Sequence, residues 1–279
     1  MTNEYWDRIL QIIKEAGQIA LRYRDDSAPD FKPDKSIITQ ADKDISRLAQ
    51  EHLKDFLKRP GHILIDEEDQ DAGRYLNAEV LKNTSYIFAI DPIDGTRAYA
   101  NRWPHFGISI GVIKDLKPWL GAVYFPVLRE LFYCDGDKSY FVQNAFNKNE
   151  IKRPITPIDQ TINKLSIFLL TDSFFKRFEW DFTDCHIMIP ACAVVDLCWP
   201  TIGRACGAIM KSYLWDFAGS WPILHSAGLA LRSLASDKEL REIHVDDFVK
   251  EKTLWKLKEH YIISSARNFP ILKNKIKSR

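Results

Sequence analysis

The chain has 279 residues, 46% of them hydrophobic and 28% charged, enough apolar material for a large core in one domain or two closely joined ones. Its 39 Lys and Arg nearly balance 38 Asp and Glu, a formal net charge of +1, so overall charge gives nothing to draw nucleic acid or an anionic membrane. The N-terminus lacks a basic segment leading into an apolar core, and no apolar run reaches spanning length, so neither a signal peptide nor a membrane span is expected.

Ile9, Ile12, Ile13, Ala16, Ile19, Ala20 and Tyr23 recur at helical spacing and predict a helix over 4–23. Pro29, Pro33 and many charges make 24–38 a loop. Thr39 with Asp42 then matches a capping box, and Ile45, Leu48, Ala49, Leu53, Phe56 and Leu57 continue an amphipathic helix. Residues 62–66 read as a strand that runs directly into the acidic pair Glu67-Glu68, which in isolation reads as a solvated turn.

Tyr86 to Ile90 is an apolar run with the character of a buried strand, broken at once by Asp91-Pro92-Ile93-Asp94-Gly95-Thr96. Two carboxylates three residues apart at the end of a buried strand are costly unless something cationic compensates them. Pro92 stiffens the loop, Gly95 allows close approach of a ligand, and Thr96 presents a hydroxyl where a short helix begins. Carboxylates for a hard cation beside N–H groups for an oxyanion suggest a metal-plus-phosphate site.

Residues 106–113, 119–128, 129–134 and 139–144 alternate like antiparallel strands, and polar, proline-containing 144–162 reads as a joint between halves. The second half reads as a strand at 163–170, a helix near 172–178, a strand at 185–189, a helix at 193–199, a strand at 205–210 and a long helix from Asp216, an α/β alternation. Basic runs at 250–258 and 273–279 read as solvated helix and tail. Cys134, Cys185, Cys192, Cys198 and Cys206 form no CxxC pair and lie mostly in apolar surroundings, so reduced thiols and a cytoplasmic location are expected rather than zinc or disulfides.

The hexapeptide Asp91-Pro-Ile-Asp-Gly-Thr96 resembles the signature of the inositol monophosphatase family of magnesium-dependent, typically lithium-sensitive phosphatases. Three further stretches agree in order: the arm from Lys32 to Asp42, the acidic pair after Ile65-Asp66, and Trp215-Asp216. The chain departs from the family where Asp66 stands at a usual Gly, where Ala191-Cys192-Ala193 replaces a Gly-Ser/Thr-Ala turn, and where Ile209 stands at an acidic position. Arg97 after the signature and Pro222 after Asp216 resemble histidinol-phosphatase-type members.

The resemblance implies an α/β (α+β) fold, a layered α-β-α-β-α sandwich, with 1–145 carrying most metal ligands and 146–279 the last ligand and the substrate pocket. It implies two or three Mg²⁺ ions, with Mn²⁺ as a substitute. Glu67, Asp91 and the Ile93 carbonyl hold the first ion; Asp91 bridges to a second, completed by Asp94 and Asp216; Asp42 helps hold a third. The Asp216 carboxylate also caps its helix. Catalysis falls to Glu67, Thr96 and Asp94, with Thr96 hydrogen-bonded toward Glu67. Gly95, Thr96, Ala191, Cys192 and Lys211 contact phosphate and substrate, with Lys32 a neighbour of the phosphate. The implied protein is a homodimer that hydrolyses a small phosphorylated metabolite, inositol 1-phosphate by default. Alternatives are histidinol phosphate, 3′-phosphoadenosine 5′-phosphate and, from another class, a relative that binds a phosphorylated ligand without turnover. Ile209, lacking an acceptor for polyol hydroxyls, and the charges of Arg97 and Lys211 favour a more anionic substrate.

Overall fold

A computed structural model describes residues 3–25, 30–31, 37–158, 160–249 and 254–279. Helix α1 (Glu4–Tyr23), a short hairpin of β1 (Asp30–Phe31) and β2 (Ile37–Ile38), and helix α2 (Gln40–Leu57) come first. The seven-stranded sheet follows, as β3 (His62–Asp66), β4 (Tyr86–Asp94), β5 (Gly107–Lys114), β6 (Lys117–Phe125), β7 (Glu130–Cys134), β8 (Ser139–Gln143) and β9 (Ile151–Pro154) in spatial order. Helix α3 (Ala78–Lys82) precedes β4 and α4 (Thr96–Ala100) follows it. Within this sheet only β3 and β4 pair in parallel; each later neighbour is antiparallel.

The remaining elements are β10 (Ile167–Leu169), β11 (Phe178–Trp180), β12 (His186–Met188), α5 (Ala193–Cys198), β13 (Gly207–Met210), α6 (Leu214–Ala218), α7 (Trp221–Ser226), β14 (Ala230–Ser233), β15 (Tyr261–Ser264), α8 (Phe269–Asn274) and β16 (Ile276–Ser278). Five of these strands form a second sheet in the order β12-β10-β13-β15-β14.

Three apolar clusters define the layers. The buried stripes of α1 and α2 cover one face of the large sheet, α5, α6 and α7 fill the space between the sheets, and α8 packs on the outer face of the smaller one. The result is the α-β-α-β-α sandwich. The large sheet continues through β9 to Pro154, within the stretch read as a joint, and α6 and α7 of the C-terminal half lie against β5 and β6. Close approach there requires Gly111: a Cβ at that position would lie 2.3 Å from the backbone of Ala218.

Several local expectations change. The helix from Asp216 is two short helices, α6 and α7, because the chain bends at Gly219-Ser220 and Pro222 sits in the first turn of α7, where its missing N–H is harmless. The helix near 172–178 is one 3₁₀ turn, Phe174–Lys176, followed by β11. The C-terminal basic stretch is partly β16, paired antiparallel with β11. Residues 254–258 carry bridge pairings rather than helix. All five cysteines are buried and free. No described helix is long and apolar enough to cross a membrane.

Candidate active site

Strand β4 does not stop at Ile90 but runs through Pro92 to Asp94, with a register shift in between: Asp91 pairs with Ser109 and Asp94 with Gly107. Three residues on β4 thus span two on β5, a bulge of one residue. The bulge has a chemical consequence. Residues three apart on a regular strand point to opposite faces, whereas one inserted residue returns them to the same side. Asp91 and Asp94 therefore converge, and Asp216 joins them: one carboxylate oxygen from each lies within 4.8 Å of the others.

Asp216 reaches the cluster from α6. It is the third helical residue rather than the cap, and its Oδ2 accepts the N–H of Tyr213 at 2.9 Å. Ser109 Oγ donates to the Trp215 carbonyl at 3.1 Å, tying α6 to the strand that faces Asp91. Asp94 is held from the C-terminal half. Its Oδ2 accepts the Val194 N–H at 2.6 Å, in the first turn of α5, and the Cys192 thiol at 2.9 Å. The turn that was expected to face substrate, Ala191-Cys192-Ala193, thus anchors a carboxylate of the cluster while also lining the cleft. Gly95 has φ +81°, and a Cβ there would come within 3.1 Å of Cys192 Cβ and of the His105 carbonyl, so the turn requires glycine. Its N–H faces the Asp94 carboxylate.

Burial, then the neighbouring carboxylates, pushes Asp91 and Asp216 well above the usual carboxylate range. Asp94 rises to about 6, again chiefly through burial, opposed by its hydrogen bonds from Cys192 and Val194. Among the described residues Asp91 Oδ1 is buried with no hydrogen-bond partner. Glu67 flanks Asp91 at the end of β3. Clustered acids and an orphaned oxygen fit hard divalent cations, which supply the missing charge and the missing partner together.

The other predicted residues are less central. Asp42 is buried and its carboxylate accepts the N–H of Thr39 at 2.7 Å and the Thr39 hydroxyl at 2.6 Å, the predicted capping box, outside the converging trio. The Ile93 carbonyl accepts the Thr96 hydroxyl at 3.1 Å. Lys32 lies outside the described residues. Ile209 is fully buried in the outer core with Phe168 and Ile262 and does not line the cleft that holds Asp216. Glu67, Gly95, Thr96, Lys211 and Asp216 line one cleft of about 360 Å³. A larger cleft of about 650 Å³ between Lys117 and Tyr261 has lysines and acids interspersed and none of these groups.

Two acids gain roles the sequence reading did not give them. Asp66 is fully buried; it accepts the Ser46 hydroxyl and, at 3.0 Å, the Glu68 N–H, so it braces the Glu67-Glu68 turn against α2. Asp196, in α5, lines the cleft with a buried Oδ1 that has no partner, and its carboxyl is pushed well up by burial and then by Asp94 and Asp172. Its only signal in the sequence was an acid inside the apolar run Ala193–Trp199.

A bulged strand end, two helix starts and a glycine turn thus gather acids beneath an open cleft, a donor set suited to hard divalent cations. The comparisons fix the family. The sequence model of the inositol monophosphatase family matches residues 3–262, and the chain belongs to that family. It is therefore a phosphoric monoester hydrolase of a metal-dependent type. Inositol monophosphatase 2 of Solanum lycopersicum is 26% identical over 250 residues, covering 85% of this chain and 90% of that one. The 3′(2′),5′-bisphosphate nucleotidase CysQ of Salmonella typhimurium is 29% identical over 137 residues, 48% of this chain and 53% of its own. Among solved structures, an inositol monophosphatase of Thermotoga maritima superposes with a TM-score of 0.71 at 18% identity, covering 98% of this chain and 96% of that one. The fold is the family's.

Proposed function

We propose that the chain is a Mg²⁺-dependent phosphomonoesterase acting on a small phosphorylated metabolite, with inositol 1-phosphate as the reference substrate that the tomato relative's name supports. The observation carrying this reading is the trio Asp91, Asp94 and Asp216, within 4.8 Å of one another at the foot of the cleft. Glu67, Asp91, the Ile93 carbonyl, Asp94 and Asp216 would hold two ions through hard oxygen donors, which suit Mg²⁺ and tolerate Mn²⁺. Such ions, when bound, neutralise the phosphate dianion and lower the pKa of water in the site.

The chain's own groups do the remaining work. The Thr96 hydroxyl oxygen helps orient the attacking water, the Glu67 carboxylate receives its proton, and the N–H groups at the start of α4 hold phosphate oxygens. Val194 and Cys192 keep Asp94 in place. Lithium, competing for a magnesium position, is expected to inhibit.

The test is phosphate release from inositol 1-phosphate, histidinol phosphate, 3′-phosphoadenosine 5′-phosphate and fructose 1,6-bisphosphate, with Mg²⁺ and with chelator. Mg²⁺-dependent release from at least one substrate, nearly abolished by Asp91→Asn and by Asp216→Asn, is expected. Wild-type turnover in either variant would overturn the mechanism. Absence of release throughout would assign the site to binding without turnover.

A further inference from the structure

The cleft carries charge that the phosphatase site does not use. Lys211, just after β13, and Lys256 both line it. Their placement is fixed by backbone pairing: Tyr213 forms an antiparallel bridge with Lys256, the Leu214 N–H donates to the Trp255 carbonyl at 2.9 Å, and the Leu257 N–H to the Ser212 carbonyl at 3.0 Å. The Lys256 ammonium stands 5.0 Å from the Tyr213 ring, and that ring stacks on Trp215 with centroids 4.7 Å apart. Both lysines thus hang from the segment that delivers Asp216.

Among the described residues neither lysine forms an ion pair, and Glu259, the acid whose charge Lys211 feels, accepts the Ser233 and Ser236 hydroxyls instead. The acids of the cleft are committed elsewhere. Asp172 pairs with Arg97 at 3.3 Å, Glu67 and Asp216 belong to the acidic cluster, and the Oδ1 of Asp196 is sealed from solvent. Once cations satisfy that cluster, two half-buried ammonium groups remain uncompensated beside the reaction centre. The field they make with Arg177 is felt by their neighbours: burial, then Arg177 and Lys256, pulls Lys211 below the usual lysine range. His260 falls to about 4 through burial and then Lys211, Arg177 and Lys256. A buried cation left unpaired is costly, and a ligand that brings an anion removes the cost.

We propose that Lys211 and Lys256 form a second anion subsite, so that the substrate carries another phosphate or a carboxylate besides the phosphate that is cleaved. The proposal rests on the phosphatase reading and narrows its substrate class. A cleft of about 360 Å³ has room for both groups.

The experiment compares inositol 1-phosphate, inositol 1,4-bisphosphate, 3′-phosphoadenosine 5′-phosphate and 3-phosphoglycerate in wild type, Lys211→Met, Lys256→Met and Lys211→Arg. It measures kcat/KM with Mg²⁺ and equilibrium binding by calorimetry with Ca²⁺. A ligand with two anionic groups is expected to exceed inositol 1-phosphate by about tenfold or more, the range of one charged hydrogen bond. Either Met variant should shrink that ratio about tenfold, while Lys211→Arg keeps most of it, which separates charge from misfolding. The bisphosphates and the phosphoglycerate distinguish phosphate from carboxylate as the second group. Hydrolysis of all four at similar kcat/KM, unchanged in ratio by the Met variants, would overturn the subsite and leave the phosphatase reading intact. Tight binding of a ligand with two anionic groups, lost in the Met variants but without turnover of any compound, would uphold the subsite and overturn the phosphatase reading.

Discussion

Replacing Asp91 with Asn should stabilise the metal-free protein while removing its response to magnesium. Asp91, Asp94 and Asp216 present oxygens within 4.8 Å of one another, with Glu67 alongside. At an effective dielectric of about 20, each fully ionised pair at that distance costs at least about 3 kcal/mol. Wild type evades part of this by taking up protons, which is why burial and its neighbours hold Asp91 so far above the usual range. Asn is neutral at every pH and nearly the same shape. At pH 8 with chelator, Asp91→Asn should therefore gain about 1–3 kcal/mol, a rise in Tm of several degrees for a chain of this size. Saturating magnesium opposes that gain: at about a hundred times Kd it adds about 2.7 kcal/mol to a protein that binds it. The variant should gain almost none of that. Thermal unfolding followed by circular dichroism, with EDTA and with Mg²⁺, reads both effects. A variant less stable than wild type without metal, yet equally stabilised by Mg²⁺, would refute the reasoning.

Other consequences follow from the same geometry. Asp94, at about 6, has a folded pKa above its unfolded one, so its contribution to stability is present below about pH 4 and lost as pH rises through 6. The Mg²⁺-induced rise in Tm should accordingly be larger at pH 8 than at pH 5, and an equal or reversed shift would contradict this. Asp66→Gly leaves the buried Ser46 hydroxyl and the Glu68 N–H without their acceptor, and should cost about 1–3 kcal/mol in urea denaturation and weaken Mg²⁺ binding. Asp66→Asn should be milder on both measures. Gly111→Ala forces a methyl into the backbone of Ala218, and should cost at least about 2 kcal/mol and displace Asp216, seen as a fall in Mg²⁺ affinity by calorimetry.

Much of this was legible because the physics is local. The spacing from Ile9 to Tyr23, the Thr39–Asp42 box and the alternation from Phe106 to Asn144 depend on near neighbours, and α1, α2 and β5 to β8 lie close to where those patterns put them. The acidic residues of the site could be named from their motifs. Their support could not, since it comes from distant chain. Nothing near Asp94 announces that Cys192 and Val194, about a hundred residues on, would hold its carboxylate. The bulge that turns Asp94 toward Asp91 shows only in the register against β5, because Pro92 read as the end of the strand. The break after α6 was missed because apolar residues from Phe217 to Leu224 fit one helix as well as two. In the sequence Lys256 belongs to a solvated basic run; its pairing to Tyr213 brings it into the cleft.

The central claim, that distant carboxylates converge to hold divalent ions, has a direct measurement. Crystals of the full chain grown with Mn²⁺ should give anomalous difference peaks bounded by Asp91, Asp94 and Asp216, with Glu67 adjoining, and those peaks should vanish from Asp91→Asn crystals. Manganese bound at other residues, or the same peaks persisting in the variant, would contradict the account.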